Sequence, residues 1–186
     1  MRISIIIPTR GRSKSLKRCL ASIKKYTKDY EVVLVERKGG YNEKVNEGLK
    51  KAKGDYLIIL HDDHEVTEGW ADELGEVGSF QQGENGNQFI HWGGFYHPYE
   101  GYLQDIFHNP QYPSVPCLSR QAFKKIGFLD EFYQEPGYQD VDLGYQIAKA
   151  GYKIQPLGGK VIHWAKRTKP LEEKNRQYLN KKWKIC

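Results

Sequence analysis

The sequence predicts a one-domain α/β protein with a mainly parallel central sheet. Three observations carry this. Short apolar runs rich in β-branched residues, Arg2–Ile7 (RISIII), Glu31–Glu36 (EVVLVE) and Tyr56–Leu60 (YLIIL), alternate with two stretches of helical period. The first sixty residues therefore read β-α-β-α-β, and strands joined through helices need right-handed crossovers that leave them parallel. At 186 residues and 39% apolar content, the chain is long enough for one full core and short for two.

The first run is closed by Pro8 and suits a strand buried on both faces. After the loop Thr9-Arg10-Gly11-Arg12, Ser13 can cap a helix whose Leu16, Cys19, Leu20 and Ile23 recur at i, i+3, i+4 and i+7. The second run repeats the buried-strand pattern, Gly39-Gly40 breaks it, and Tyr41–Lys53 predicts a helix with Val45, Leu49 and Ala52 inward. Gly54 ends that helix ahead of the third strand. Residues 79–116 are rich in Gly, Asn, Gln, His and aromatics without helical period, and predict loops and short strands. Regular helices are expected again at Ser119–Ile126 and Asp140–Ala150, the latter stopped by Gly151. Lys153–Pro156 and Lys160–His163 predict two last short strands.

Charge is uneven. From Ala165 to Cys186, eight Lys and Arg stand against Glu172 and Glu173, whereas residues 1–164 carry 21 basic and 21 acidic side chains. A basic tail with Tyr178 and Trp183 suits peripheral contact with anionic lipid, and reads equally as a solvated C-terminal helix. The neutral body and the lack of a nucleic-acid-binding motif argue against a nucleic-acid partner. Cys19, Cys117 and Cys186 are odd in number and widely spaced, which argues against a disulfide framework or structural zinc and for core packing of the first two. No apolar stretch reaches a membrane span and the first strand begins close to Met1, so a cytoplasmic protein, at most peripheral at the membrane, is expected.

The third strand ends on His61-Asp62-Asp63-His64. Adjacent carboxylates after a buried strand repel each other and resist desolvation unless a cation or several donors satisfy them. If the strand stays extended, His61 and Asp63 face one side and Asp62 and His64 the other. In parallel sheets ligands sit at the carboxyl ends of strands, where Thr9-Arg10, Glu36 and Asp62-Asp63 all fall. The plainer reading is a solvated acidic loop.

The stretches SIIIPTRGR, GLKKAKGDYLIILHDDHEV, GFLDEFYQEPGYQDVDLGYQIAKAGYKI and VIHW, in this order, resemble inverting family 2 glycosyltransferases of the GT-A fold. The resemblance covers roughly residues 1–70 and 114–164. It implies a single Rossmann-like α/β/α domain over 1–164, with a nucleotide-binding half (1–78), an acceptor half (79–164) and a basic C-terminal helix or tail (165–186). It further implies a UDP-, GDP- or dTDP-sugar donor, an Mn or Mg cation, and a glycan, lipid-linked or protein-linked acceptor.

Carried over residue by residue, the resemblance assigns Pro8, Thr9 and Arg10 to the nucleotide loop and Glu36 to the base, where the family usually has Asp. Asn46 matches an Asn of the second helix. Asp62 and Asp63 match the last two positions of the D-x-D motif, the former near the ribose and the latter on the metal, with His61 replacing the first. Asp140 matches the general base and Asp142 the next acidic position. Gln139 and Gln146 stand where a Glu and an Arg are expected. His163 matches a metal-completing histidine. Trp92, Tyr96 and Tyr99 fall where acceptors bind.

From the residues alone, Asp140 also fits a helix N-cap, His163 a core histidine, and Arg10 and Arg12 a solvated loop. Three alternatives stay open: a nucleotide-sugar-binding protein without turnover, a retaining transferase, or a nucleotidyltransferase.

Overall fold

A computed structural model of the chain describes residues 1–11, 13–72, 74–84, 115–134, 137–164 and 173–184. Its described elements are β1 (Ile3–Thr9), α1 (Lys14–Tyr26), β2 (Tyr30–Glu36), α2 (Tyr41–Lys51), β3 (Tyr56–Ile59), β4 (His64–Val66), β5 (Val77–Glu84), β6 (Pro116–Ser119), α3 (Arg120–Ile126), α4 (Gln139–Lys149), β7 (Gln155–His163) and α5 (Glu173–Trp183). The seven strands form one sheet in the order β2-β1-β3-β6-β5-β7-β4. Strands β2, β1, β3, β5 and β7 share one direction, and β6 and β4 run against it.

The period-2 alternation of β1 sorts its side chains between two layers. Ile3, Ile5 and Ile7 pack with Leu16, Cys19 and Ile23 of α1 and with Trp70, while Ile6 packs with Val45 and Leu49 of α2, Leu143 and Ile147 of α4, and Leu118. Helix α1 therefore covers one face and α2 and α4 the other. Every residue of β1 is buried, and Cys19 and Cys117 are free thiols in the core. Ser13 caps α1 as expected, its hydroxyl accepting the Leu16 N–H at 3.0 Å.

Two expectations change. Strand β2 is largely half-exposed, with Leu34 38% exposed, because it lies at the sheet's edge and pairs only with β1. The predicted pair of late strands is one strand, β7, whose register against β5 slips between Phe80 and Gln81. The aromatic segment with Trp92, Tyr96 and Tyr99 lies outside the described residues, as does Arg12.

Helix α2 lies close against the sheet at Gly48, where an added Cβ would sit 2.4 Å from Cγ2 of Ile6. Alanine ordinarily favours a helix over glycine by about 1 kcal/mol. Here it must push apart a packed helix and strand, so Gly48→Ala is expected to lower stability by about 1–3 kcal/mol, measured by urea unfolding.

The tail contains a docked helix. In α5, Leu179 and Asn175 are buried, the Trp183 ring stacks on Tyr145 at 5.1 Å and the Tyr178 ring on Phe132 at 3.7 Å. The two aromatics expected at a lipid surface thus pack on the body of the protein. Among the described residues no helix is long and apolar enough to cross a membrane.

Candidate active site

The parallel strands β2, β1 and β3 deliver their carboxyl ends to one edge. Thr9 pairs with Glu36 in register, and β3 leads straight into His61-Asp62-Asp63. Thr9 is buried, and its hydroxyl donates to Asp62 Oδ2 at 2.5 Å and accepts the Gly11 N–H at 3.2 Å. Gly11 has φ +139°, a conformation that favours glycine, and a Cβ there would lie 3.6 Å from Glu36 Oε1. Pro8 is buried within β1 and Arg10 is exposed just after it. One carboxylate of the pair is thereby fastened to the first loop.

The second carboxylate meets three histidines. Residues 61–64 do not stay extended: the His64 N–H donates to the His61 carbonyl at 3.2 Å and the His61 N–H to His64 Nδ1 at 3.1 Å. The chain must turn here, because β3 lies inside the sheet and β4 at its opposite edge. The turn cancels the expected alternation and puts His64 on the same side as His61 and Asp63. His64 pairs with His163 across β4 and β7. The His61 and His64 rings stack at 4.8 Å, His163 meets His64 edge-on at 4.8 Å, and His163 Nε2 is 3.4 Å from Asp63 Oδ2. One ligand atom from each of His61, Asp63, His64 and His163 lies within 4.8 Å of the others.

This donor set fits a divalent cation. Asp63 Oδ1 is buried and has no hydrogen-bond partner among the described residues, a costly state for a carboxylate that a cation would relieve. Burial opposes ionisation of Asp63, yet the His163 contact and the field of His61 and His64 outweigh it and hold the carboxyl down at about 2. Burial lowers His61 against the pull of Asp63, and lowers His64 far more, so both are neutral near pH 7. His64 Nδ1 accepts a backbone N–H, which in a neutral ring leaves the proton on Nε2 and no lone pair for a metal. His61, Asp63 and His163 therefore remain as the three that could hold a cation, a number that would leave positions open for other oxygens.

The base expected from sequence acts electrostatically on the same cluster. Asp140 lies in the first turn of α4, accepting the Val141 N–H at 3.0 Å, and the cap position belongs to Tyr138 rather than to Asp140. Burial raises the Tyr41 hydroxyl above its usual range, and the charges of Asp140, Asp63 and Asp62 push it further. The Tyr41 ring is 5.0 Å from His61, whose protonated form Asp140 also favours. Tyr41 thus lies within reach of the charges of Asp140 and of the His61–Asp63 turn.

Other residues singled out in the sequence bond within the protein. Asn46 is buried, donates to the Leu129 carbonyl and Glu131 Oε1 at 2.8 and 2.9 Å, and accepts the Leu129 N–H at 2.9 Å. It ties α2 to residues 129–131. Asp142 is held by Gln146, Lys182 and Trp183, and Gln139 Oε1 accepts the Gly137 N–H at 2.7 Å. Sequence reasoning passed over Lys44, which is buried and donates to the Thr9 carbonyl at 3.4 Å. Burial and the nearby Arg10 charge lower its pKa while Asp62 opposes them. A lysine on the inward side of α2 was the one available signal.

The Glycosyl transferase family 2 model matches residues 35–108. Solved structures are similar over nearly the whole chain: GalNAc-T7 crystallised with UDP, GalNAc and Mn2+ has a TM-score of 0.71 at 18% identity, covering 96% of this chain and 47% of that one. The catalytic domain of Drosophila beta1,4galactosyltransferase 7, in complex with xylobiose, has a TM-score of 0.67 at 15% identity, covering 96% and 79%. S. aureus TarS follows with 0.62 at 15% identity, covering 89% and 36%. The chain has the GT-A glycosyltransferase fold. This GT-A chain spans about half the length of the GalNAc-T7 chain it matches. No curated protein matches it in sequence at a significant level. Within the GT-A frame, the His61–His163 cluster sits where the carboxyl end of β3 turns toward β4 and meets the end of β7.

Proposed function

We propose that this protein is a metal-dependent inverting glycosyltransferase that moves a sugar from a nucleotide-sugar donor to an acceptor hydroxyl. The observation that carries the reading is the convergence of His61, Asp63 and His163, with the buried and unpartnered Asp63 Oδ1, within the electrostatic reach of Asp140. The GalNAc-T7 structure, with UDP and Mn2+, supports a nucleotide and a cation of this kind. Two imidazoles and one carboxylate suit Mn better than Mg, which prefers an all-oxygen shell.

In this reading residues 1–78 bind the donor and residues 79–164 the acceptor. A bound cation supplies Lewis-acid stabilisation to the departing diphosphate. His61, Asp63 and His163 would hold it. Asp62, fixed by Thr9, meets the ribose; Glu36 reads the base; Pro8 shapes the loop; and Arg10 and Lys44 offset diphosphate charge. Asn46 steadies the junction between the halves.

The acceptor oxygen attacks the anomeric carbon as the bond to the diphosphate oxygen breaks, and the hydroxyl proton passes to the Asp140 carboxylate. Attack opposite the leaving group inverts the anomeric centre.

Calorimetric titration with UDP, GDP and dTDP, each with Mn and with EDTA, tests the reading. One nucleotide is expected to bind only with Mn, and its sugar conjugate to be transferred with inversion. Binding of none would sink the reading, retained configuration would make the enzyme a retaining transferase, and pyrophosphate release would make it a nucleotidyltransferase.

A further inference from the structure

The segment that carries Asp140 is held at both ends by α5. It begins with two successive residues of positive φ, Gly137 at 120° and Tyr138 at 68°. The left-handed region is costly for a bulky residue such as tyrosine, so the surrounding structure must hold it there. From inside the segment, Gln139 Oε1 takes the Gly137 N–H at 2.7 Å. From α5, Asn175, fully buried, donates from Nδ2 to the Gly137 carbonyl at 3.0 Å.

The second hold lies just beyond the carboxylate. Asp142 is 1% exposed, and α5 reaches it with Lys182 Nζ at 2.9 Å and the Trp183 indole N–H at 2.7 Å. Lys182 also binds Asp130 at 2.8 Å, and the Tyr178 hydroxyl donates to that carboxylate at 2.8 Å. Asp130 belongs to the stretch that Asn42 and Asn46 tie to α2, through the carbonyls of Asp130 and Leu129. One lysine thus joins the base-bearing helix to the segment fastened on the nucleotide half. Leu179 adds an apolar contact with Tyr133, Tyr138, Val141 and Tyr145.

We propose that α5 is a positioning brace: Asn175, Lys182 and Trp183 fix the turn and first helical residues on either side of Asp140, and so aim its carboxylate. This rests on Asp140 being the general base of the proposed reaction. The brace is a structural use of basic residues whose density otherwise suggests a surface for anions.

Proximity and orientation act on the chemical step, so loosening the brace affects turnover more than donor binding. Lys182→Ala and Asn175→Leu are each expected to lower kcat at least about tenfold, with nucleotide affinity in Mn unchanged within about twofold. Lys182→Arg, which keeps the charge and can bridge both carboxylates, is expected to restore most of the loss. Hydrogen exchange at the amides of residues 137–142 is expected to quicken in the first two variants.

Faster exchange with unchanged kcat would reduce α5 to a stabilising element and overturn positioning. Equal losses in kcat and nucleotide affinity, or unaltered exchange, would also overturn it. If the unaltered protein binds nucleotide but transfers no sugar, the proposed activity fails while exchange still decides whether α5 holds the segment. Trp183→Phe, which keeps the stack on Tyr145 but removes the N–H to Asp142, provides a milder variant should Lys182→Ala not fold.

Discussion

Asp140→Asn is expected to lower sugar-transfer turnover by about 10³-fold, within the range a positioned general base contributes. The change is nearly isosteric and removes the proton acceptor. It should leave the fold intact: the amide oxygen can still take the Val141 N–H that Asp140 Oδ1 now accepts, and the loss of one negative charge in the first turn of α4 costs a few tenths to about 1 kcal/mol. Metal and nucleotide affinities are expected to stay within about twofold, since no proposed ligand is touched. Steady-state kinetics beside calorimetry checks both halves. Full activity in the variant would remove Asp140 from the mechanism.

Asp63→Ala is expected to act on a different step. Nucleotide affinity in Mn should fall at least about 100-fold, to the level found with EDTA, because losing a ligand costs more than the 10–100-fold typical of residues that merely orient ligands. In the metal-free protein the carboxyl is held at about 2, below its unfolded value, so the fold favours the ionised form near pH 7. Deleting it is expected to lower the metal-free melting temperature by a few degrees, while the rise on adding Mn disappears. A variant that gains as much from Mn as its parent does would show that Asp63 serves the fold rather than a cation.

The alternation of apolar strands and helices was legible because it reports burial directly. β1 buries both faces, and its odd and even isoleucines divide between the α1 and α2 layers. Strand β2 carried the same composition and misled, since Val32, Val33 and Leu34 fit an edge as well as a centre and sequence does not encode neighbours. At the site, the residue types around Asp63 were readable but their directions were not. A four-residue turn closed by two hydrogen bonds between His61 and His64 replaced strand alternation. Asn46, Gln139 and Asp142 illustrate the remaining gap: each is polar and near the site in sequence, and each bonds to protein rather than standing open toward ligand. The partners of Asn46, and the Lys182 and Trp183 partners of Asp142, lie 40 or more residues away, beyond the reach of local pattern.

Strand β4 has three residues, and it joins the sheet through antiparallel pairing of His64 with His163 and its neighbours on β7. That pairing closes a loop of about a hundred residues through three residue pairs at the edge of the sheet. A cation gripping Asp63 and His163 would act as a second, removable cross-link across the same loop. Its occupancy would then govern how often the far margin of the sheet opens, so that the protein's resistance to local unfolding rises and falls with the loading of its proposed catalytic centre.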